Sequence, residues 1–275
     1  TGTLGSGAIT TNAALVFNHT GSVVLSALAS NAAGIGGAGS VNATSGAGLT
    51  IDRPIGVTSD VTLTASSGNL ALDSAVASSG TAALAATGTM TDGASGSLTA
   101  PQAVITSGDV ILDSASTNIG TLAASGVTGL LVRNSNALTV GTVGATTGIS
   151  TSGNIDIATA SGDLTVAANV TTTSTSALML NAGRSATAGT ASGGNLVLSG
   201  SPLITVGSGG RATLYSGSVS GSTGVTTLLG SGSGRFRYNS DESVSNFTAA
   251  LGSGLYGIYR EQPTLTVTSD NQTIT

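Results

Sequence analysis

The stretch SGNIDIATASGDLTVAANV, residues 152–170, carries one pattern twice. Gly153-Asn154-Ile155-Asp156-Ile157 and Gly162-Asp163-Leu164-Thr165-Val166 both read glycine, then Asn or Asp, then apolar-polar-apolar. Glycine beside Asn or Asp marks a turn, and alternation with period two marks a strand with one buried face. Each copy is thus a turn that launches a short, half-buried strand.

Working outward, the same unit recurs along the chain. Gly68-Asn69-Leu70-Ala71-Leu72-Asp73 and Gly108-Asp109-Val110-Ile111-Leu112-Asp113 lie forty residues apart, and each runs directly into Ser-Ala. Forty reads as two turns of about twenty, with weaker strand candidates at 81–86 and 103–106 between them. Towards the end, Leu178-Met179-Leu180, Leu196-Val197-Leu198 and the Leu214-Tyr215 pair start 18 residues apart each time, which reads as a third stretch of the series. Short strands and Gly/Ser/Thr/Asn turns at a fixed period, with few helix signals, predict an all-β parallel solenoid (β-helix) of about 20 residues per coil. Some twelve coils spaced about 4.8 Å apart would give a rod of about 60 Å. Turn residues Asn69, Asn154 and Asn195 are expected to stack in side-chain amide ladders.

Composition narrows the alternatives. Charged residues make up 7% of the chain and apolar ones 39%, which opposes a charge-rich disordered chain. Aromatic residues are only 3%, so the core is narrow and filled by Ala, Val, Leu and Ile. The net charge is −5 and no basic run exists to neutralise phosphates, so no nucleic-acid partner is expected. No apolar stretch approaches the roughly twenty residues of a membrane-spanning helix, so no membrane insertion is expected. Cysteine is absent, which excludes disulfides and thiolate metal sites. Thr1 follows no signal-type run, so the chain reads as a mature product or an excised piece.

The composition shifts near residue 230. Phe236, Tyr238, Phe247, Tyr256 and Tyr259 are five of the seven aromatic residues, and Arg235, Arg237 and Arg260 are three of the seven arginines. An open solenoid end exposes strand edges and core and so requires a cap. The reading is a β-helix over 1–232, an aromatic and arginine-containing cap or junction over 233–260, and a strand or hairpin over 261–275. The last piece alternates as PTLTVTSDNQTIT, and a lone hairpin is marginal. It is therefore expected to join a following domain or a neighbouring subunit. With the five cap aromatics, Leu265 and Val267 are the candidate assembly residues.

The repeats NALTVGTVGATTGISTSGNIDIATASGDLTV (136–166) resemble the filamentous-haemagglutinin-like large exoproteins of Gram-negative bacteria. Residues 234–275 are similar to the point in such proteins where the helix gives way to small β-sandwich repeats. The resemblance implies a right-handed helix and a secreted, non-enzymatic rod or filament segment at the bacterial outer surface. Adhesion, biofilm matrix or a cell-surface sheath is the implied role, with a host or surface receptor of unknown identity and self-association end to end as expected partners. The chain departs from that family in showing neither an amino-terminal secretion domain nor a Lys-rich binding region.

Other motifs have blander readings. Residues 34–39, GIGGAG, match the dinucleotide fingerprint, but the next residues, SVNATSGAGLT, do not read as a helix, so a turn between coils is expected and no cofactor. His19 is the only histidine and has no acid beside it in sequence, so it reads as a surface or turn residue rather than part of a triad or metal site. Asp73 and Asp113 hold equivalent places two coils apart, and Asp156 lies mid-strand. They read as solvated acids rather than a catalytic pair or calcium ligands. Five Asn-x-Thr triplets, at Asn18, Asn42, Asn169, Asn246 and Asn271, indicate surface turns. Two rival functions remain: a fibre subunit joined through coil ends or donor strand 263–275, and a carbohydrate-active β-helix enzyme, which a groove with two or three acids beside an arginine would favour.

Overall fold

In the computed structural model, the residues described are 9–11, 14–24, 34–37, 39–175 and 177–264. The chain winds as a parallel β-solenoid of about 11 turns with about 21 residues each, fewer than the twelve expected. Each coil has three faces. The first holds Ile35–Gly37, Ile55–Val57 and Ala75–Ser78, and the second holds Val41–Ser45, Val61–Ala65 and Thr81–Ala86. Strands Ser97–Thr106 and Asn118–Val127 run through both faces, which join as one 16-stranded sheet. The third face is an 11-stranded sheet that includes Leu49–Ile51, Leu70–Leu72, Met90–Asp92 and Asp109–Leu112.

Alternation decides what faces inward. On the third face Leu49, Leu70, Met90, Val110, Leu130, Ile155, Leu178 and Ala212 fall in one register column, all buried. Full burial of an aliphatic side chain stabilises by about 1.5–3 kcal/mol, and each coil adds several. The forty-residue echo is real, since Leu70, Met90 and Val110 are consecutive steps of the column. The two copies within residues 152–170 are neighbouring faces of the winding: Ile155–Thr159 lies on the third face and Leu164–Val166 on the first.

The 18-residue series is not a stack. Leu178 and Leu180 lie over Ala212 and Leu214, 34 residues on, whereas Leu196–Leu198 pairs with Leu164–Val166 on the first face. A long corner over 182–195 lengthens that coil and carries Leu196 to another face. The amide ladders are also replaced by something else. The Oδ1 of Asn69, Asn154 and Asn195 accepts a backbone N–H of the next coil, from Thr89 at 2.9 Å, Ala177 at 3.3 Å and Ser218 at 2.9 Å. Asp60, Asp163 and Asn169 do the same for Thr81, Asn195 and Leu203. A corner backbone has donors that no ladder satisfies, and an Asx oxygen supplies the acceptor. That approach is close: a Cβ on Gly88 would sit 2.2 Å from Asn69 Oδ1, so only glycine fits there.

In the glycine-rich run, Ile35–Gly37 is a strand of the first face rather than a turn between coils, and the next element is strand Val41–Ser45. Gly34 has φ +67° and lies against the backbone of Pro54. With a strand in place of the helix N-terminus, the fingerprint lacks the context that binds a dinucleotide.

Candidate functional site

The end of the solenoid departs from the repeat and gathers most of the unusual chemistry. Helix Val225–Leu229 begins the closure, earlier than the expected boundary at 233. Thr223 bridges to Val197 at the last strand of the first face, and Leu228 and Leu229 pack against the core. Strand Gly254–Tyr259, expected within the cap, is instead a further strand of the third face. It pairs in parallel with Arg211–Ser216 on one side and Phe236–Arg237 on the other. The strand that comes last in sequence is therefore second to last in space.

This arrangement brings the five predicted aromatic residues together. Phe236 and Tyr238 stack on Tyr259 at 6.2 and 5.6 Å between centroids. Arg235 lies over the Tyr256 ring at 4.9 Å, and Arg237 lies 5.5 Å from both Phe247 and Tyr256. Tyr256 and Tyr259 are buried within the cap, so among these five Tyr238, 39% exposed, is the one most open to a further contact. Leu265 and Val267 lie outside the described residues.

Between Phe236–Arg237 and Gly254–Tyr259 the chain folds back as a strap over the outer surface of the third face. The outward-pointing Ile258 is buried beneath it. Two adjacent acids, which sequence reasoning passed over, anchor the strap. Glu242 accepts hydrogen bonds from the Ser185 N–H at 2.6 Å and the Asn181 amide at 3.1 Å. Asp241 accepts from the N–H groups of Ala188, Ser243 and Val244. Burial alone would raise the Asp241 pKa, but these donors and the Arg260 charge outweigh it and hold the carboxyl below its usual range.

Arg260 is the second feature missed. It is fully buried, and its guanidinium donates to the carbonyls of Ala182, Ser192 and Gly194 and to Asn181 Oδ1. It ties the final strand to the long corner over 182–195. Burial lowers its pKa, and the charges of Glu242 and Asp241 oppose that shift. The sequence signal was Asp241-Glu242 in a chain with so few charges, together with Arg260 after an aromatic run.

Beneath the strap, a groove of about 530 Å³ runs against the outer side of the third face. Asp156, Met179, Arg211, Thr213 and Tyr215 line it from the sheet, and Phe247 and Leu251 from the strap. Asp156 is held by Arg133 through two hydrogen bonds at 2.7 and 2.5 Å. Burial, then the negative charge of Glu242, raises the Tyr215 pKa.

The remaining sequence candidates lie elsewhere. His19 ends strand Leu15–His19, and its Nδ1 accepts the Gly21 N–H at 3.0 Å, closing a turn. Asp73 and Asp113 are exposed at corners. Between them lies Asp92, absent from the sequence reading, which points inward and accepts from the N–H groups of Asp113 and Ser114 and from the Thr117 hydroxyl. Burial raises its pKa, against those hydrogen bonds. Asn18 and Asn42 are exposed on strands, not turns. Among the described residues, no three His, Asp or Glu side chains could jointly hold a metal ion, and no helix is long and apolar enough to cross a membrane.

These observations define the class of the molecule, a repeat protein with the parallel β-solenoid fold. Comparison with protein families, curated proteins and solved structures found no match.

Proposed function

We propose that the chain is a non-enzymatic structural segment, a rigid rod in a secreted bacterial surface exoprotein. The observation that carries the reading is the parallel register column, continuous from Leu49 to Ala212 and ended by an elaborate closure. Every coil is hydrogen-bonded to its neighbours along the axis, so bending the rod would require breaking ladders on several faces at once. Placement at the outer cell surface, in adhesion, biofilm matrix or a sheath, rests on the resemblance of residues 136–166 to filamentous-haemagglutinin-like exoproteins. A carbohydrate-active enzyme would need several acids free beside an arginine. In the groove, Asp156 is already taken up by Arg133, and in a smaller hollow Asp113 is the one acid beside Arg133 and Arg184.

Small-angle scattering and electron microscopy of the purified chain test the reading. Eleven strands in the third sheet correspond to a particle about 50 Å long, single and unbranched. A compact sphere would refute the rod. Fibres with an axial repeat of one chain would replace it with the self-assembling subunit. The closing helix and reversed strand order argue against direct coil-on-coil stacking at that end.

A further inference from the structure

We propose that the groove beneath the strap binds an acidic sugar, a ring bearing a carboxylate such as a hexuronate unit of a polysaccharide. The inference goes beyond the rod role and does not depend on it, since a rod with an empty groove is still a rod. Aromatic residues are scarce in this chain. Only seven occur in 275 residues, yet Tyr215 and Phe247 face one groove from opposite walls, the sheet and the strap.

A sugar ring has an apolar C–H face and a rim of hydroxyl groups. An aromatic side chain offers the first an apolar surface, and Tyr adds a polar tip for the second. At about 530 Å³ the groove falls in the size range of small-molecule sites. Its open form, with Thr213, Asn154 and Ser245 among its polar lining, suits a hydroxylated ligand better than an apolar one.

Charge then selects among sugars. Although the chain is acidic overall, its groove presents the Arg211 guanidinium, of which one nitrogen donates to the Leu251 carbonyl at 3.1 Å. The other donors remain for a planar acceptor, and a carboxylate matches that fork. The neighbouring Asp156 is paired bidentately with Arg133, so its charge is answered within the protein. A carboxylate on the ligand therefore meets an unmatched positive charge.

The test is titration of the whole chain with trigalacturonate and with maltotriose, a neutral trimer, followed by calorimetry and by tyrosine fluorescence. Saturable binding of the acidic trimer is expected, about tenfold tighter than that of the neutral one, and weaker in roughly 0.5 M salt than in low salt. Tyr215→Ala should weaken it by about tenfold or more. Arg211 also holds the strap, so Arg211→Lys is the informative change there. It keeps the charge and a donor for Leu251 but loses the fork, and should weaken binding about three- to tenfold. Three results would each overturn the proposal: no saturable binding up to about 10 mM trigalacturonate, equal binding of the neutral trimer, or full affinity in a Tyr215→Ala chain whose circular dichroism is unchanged.

Discussion

The coils between Val41 and Val140 and the closing region after Ala177 solve the same problem by opposite means. In the middle, register steps are near 20 residues and the interior is a column of aliphatic side chains. Stability there is a sum of similar nearest-neighbour terms. At the end the steps widen to 34 and then 43 residues, from Leu178 to Ala212 to Leu255. The added chain is held by a buried arginine, two anchoring acids and stacked rings. A repeat can be stabilised by repetition, whereas an end needs unique interactions, each without a substitute next to it.

The sharpest way to break this comparison is Arg260→Met. It leaves the carbonyls of Ala182, Ser192 and Gly194 without their buried donor, and loss of one member of a buried charged network costs about 3–5 kcal/mol. Hydrogen exchange should show faster opening of Gly254–Tyr259 and the strap, with Leu70–Leu72 still protected. Equal loosening throughout would show that the end is not a separate unit. Leu122→Ala, at a fully buried position of the middle, should cost about 2–4 kcal/mol by urea denaturation. There the loss should spread to coils on both sides.

Gly88→Ala probes the Asx corners. The new Cβ would collide with Asn69 Oδ1, at a cost of about 1–3 kcal/mol. Adding Asn69→Ala should recover part of that loss, because it removes the colliding atom. No recovery in the double variant would place the strain in the backbone instead.

Acid should separate the two regions by sign. Asp241 has a lowered pKa in the folded chain, so its contribution is present above the ordinary carboxyl pKa and is lost as pH falls through the folded value. Asp92 has a raised one, so its folded form holds the proton more tightly, and stability falls as pH rises from the ordinary value through the folded one. Below about pH 4 the strap should loosen while the coil around Asp92 is relieved, and exchange rates at the two places should move in opposite directions. The smallest effect is expected of Arg133→Ala. Both partners of its ion pair keep part of their surface in water, 18% and 27%, and such a pair contributes about 0–1 kcal/mol.

The middle was legible because local pattern and global fold share one period there. Glycine followed by Asn or Asp, then apolar-polar-apolar, at twenty-residue steps specifies turn, strand and inward face together, as the column through Leu70, Met90 and Val110 bears out. The same signal misled where chain was inserted at a corner. Leu196-Val197-Leu198 has the local pattern of its neighbours, but the extra residues over 182–195 move it to another face. Asp92 was unreadable for a related reason. Alternation places it at an inward position, but an acid suggests solvent, and its compensating donors come from the next coil, more than twenty residues away. The aromatic clustering was foreseeable from composition. The strap was not, since its anchors bring together residues more than fifty apart in sequence.

The insertion of Gly254–Tyr259 between Arg211–Ser216 and Phe236–Arg237 sets an order in time. Coils before it can be laid down one after another, each upon its finished predecessor. The outermost edge cannot be, because Phe236–Arg237 must wait about twenty residues for the strand on which it will rest. Winding is thus sequential until the end and simultaneous there. A chain interrupted before residue 254 would keep its earlier coils but leave the Arg211–Ser216 edge bare, an adhesive surface that the complete chain conceals.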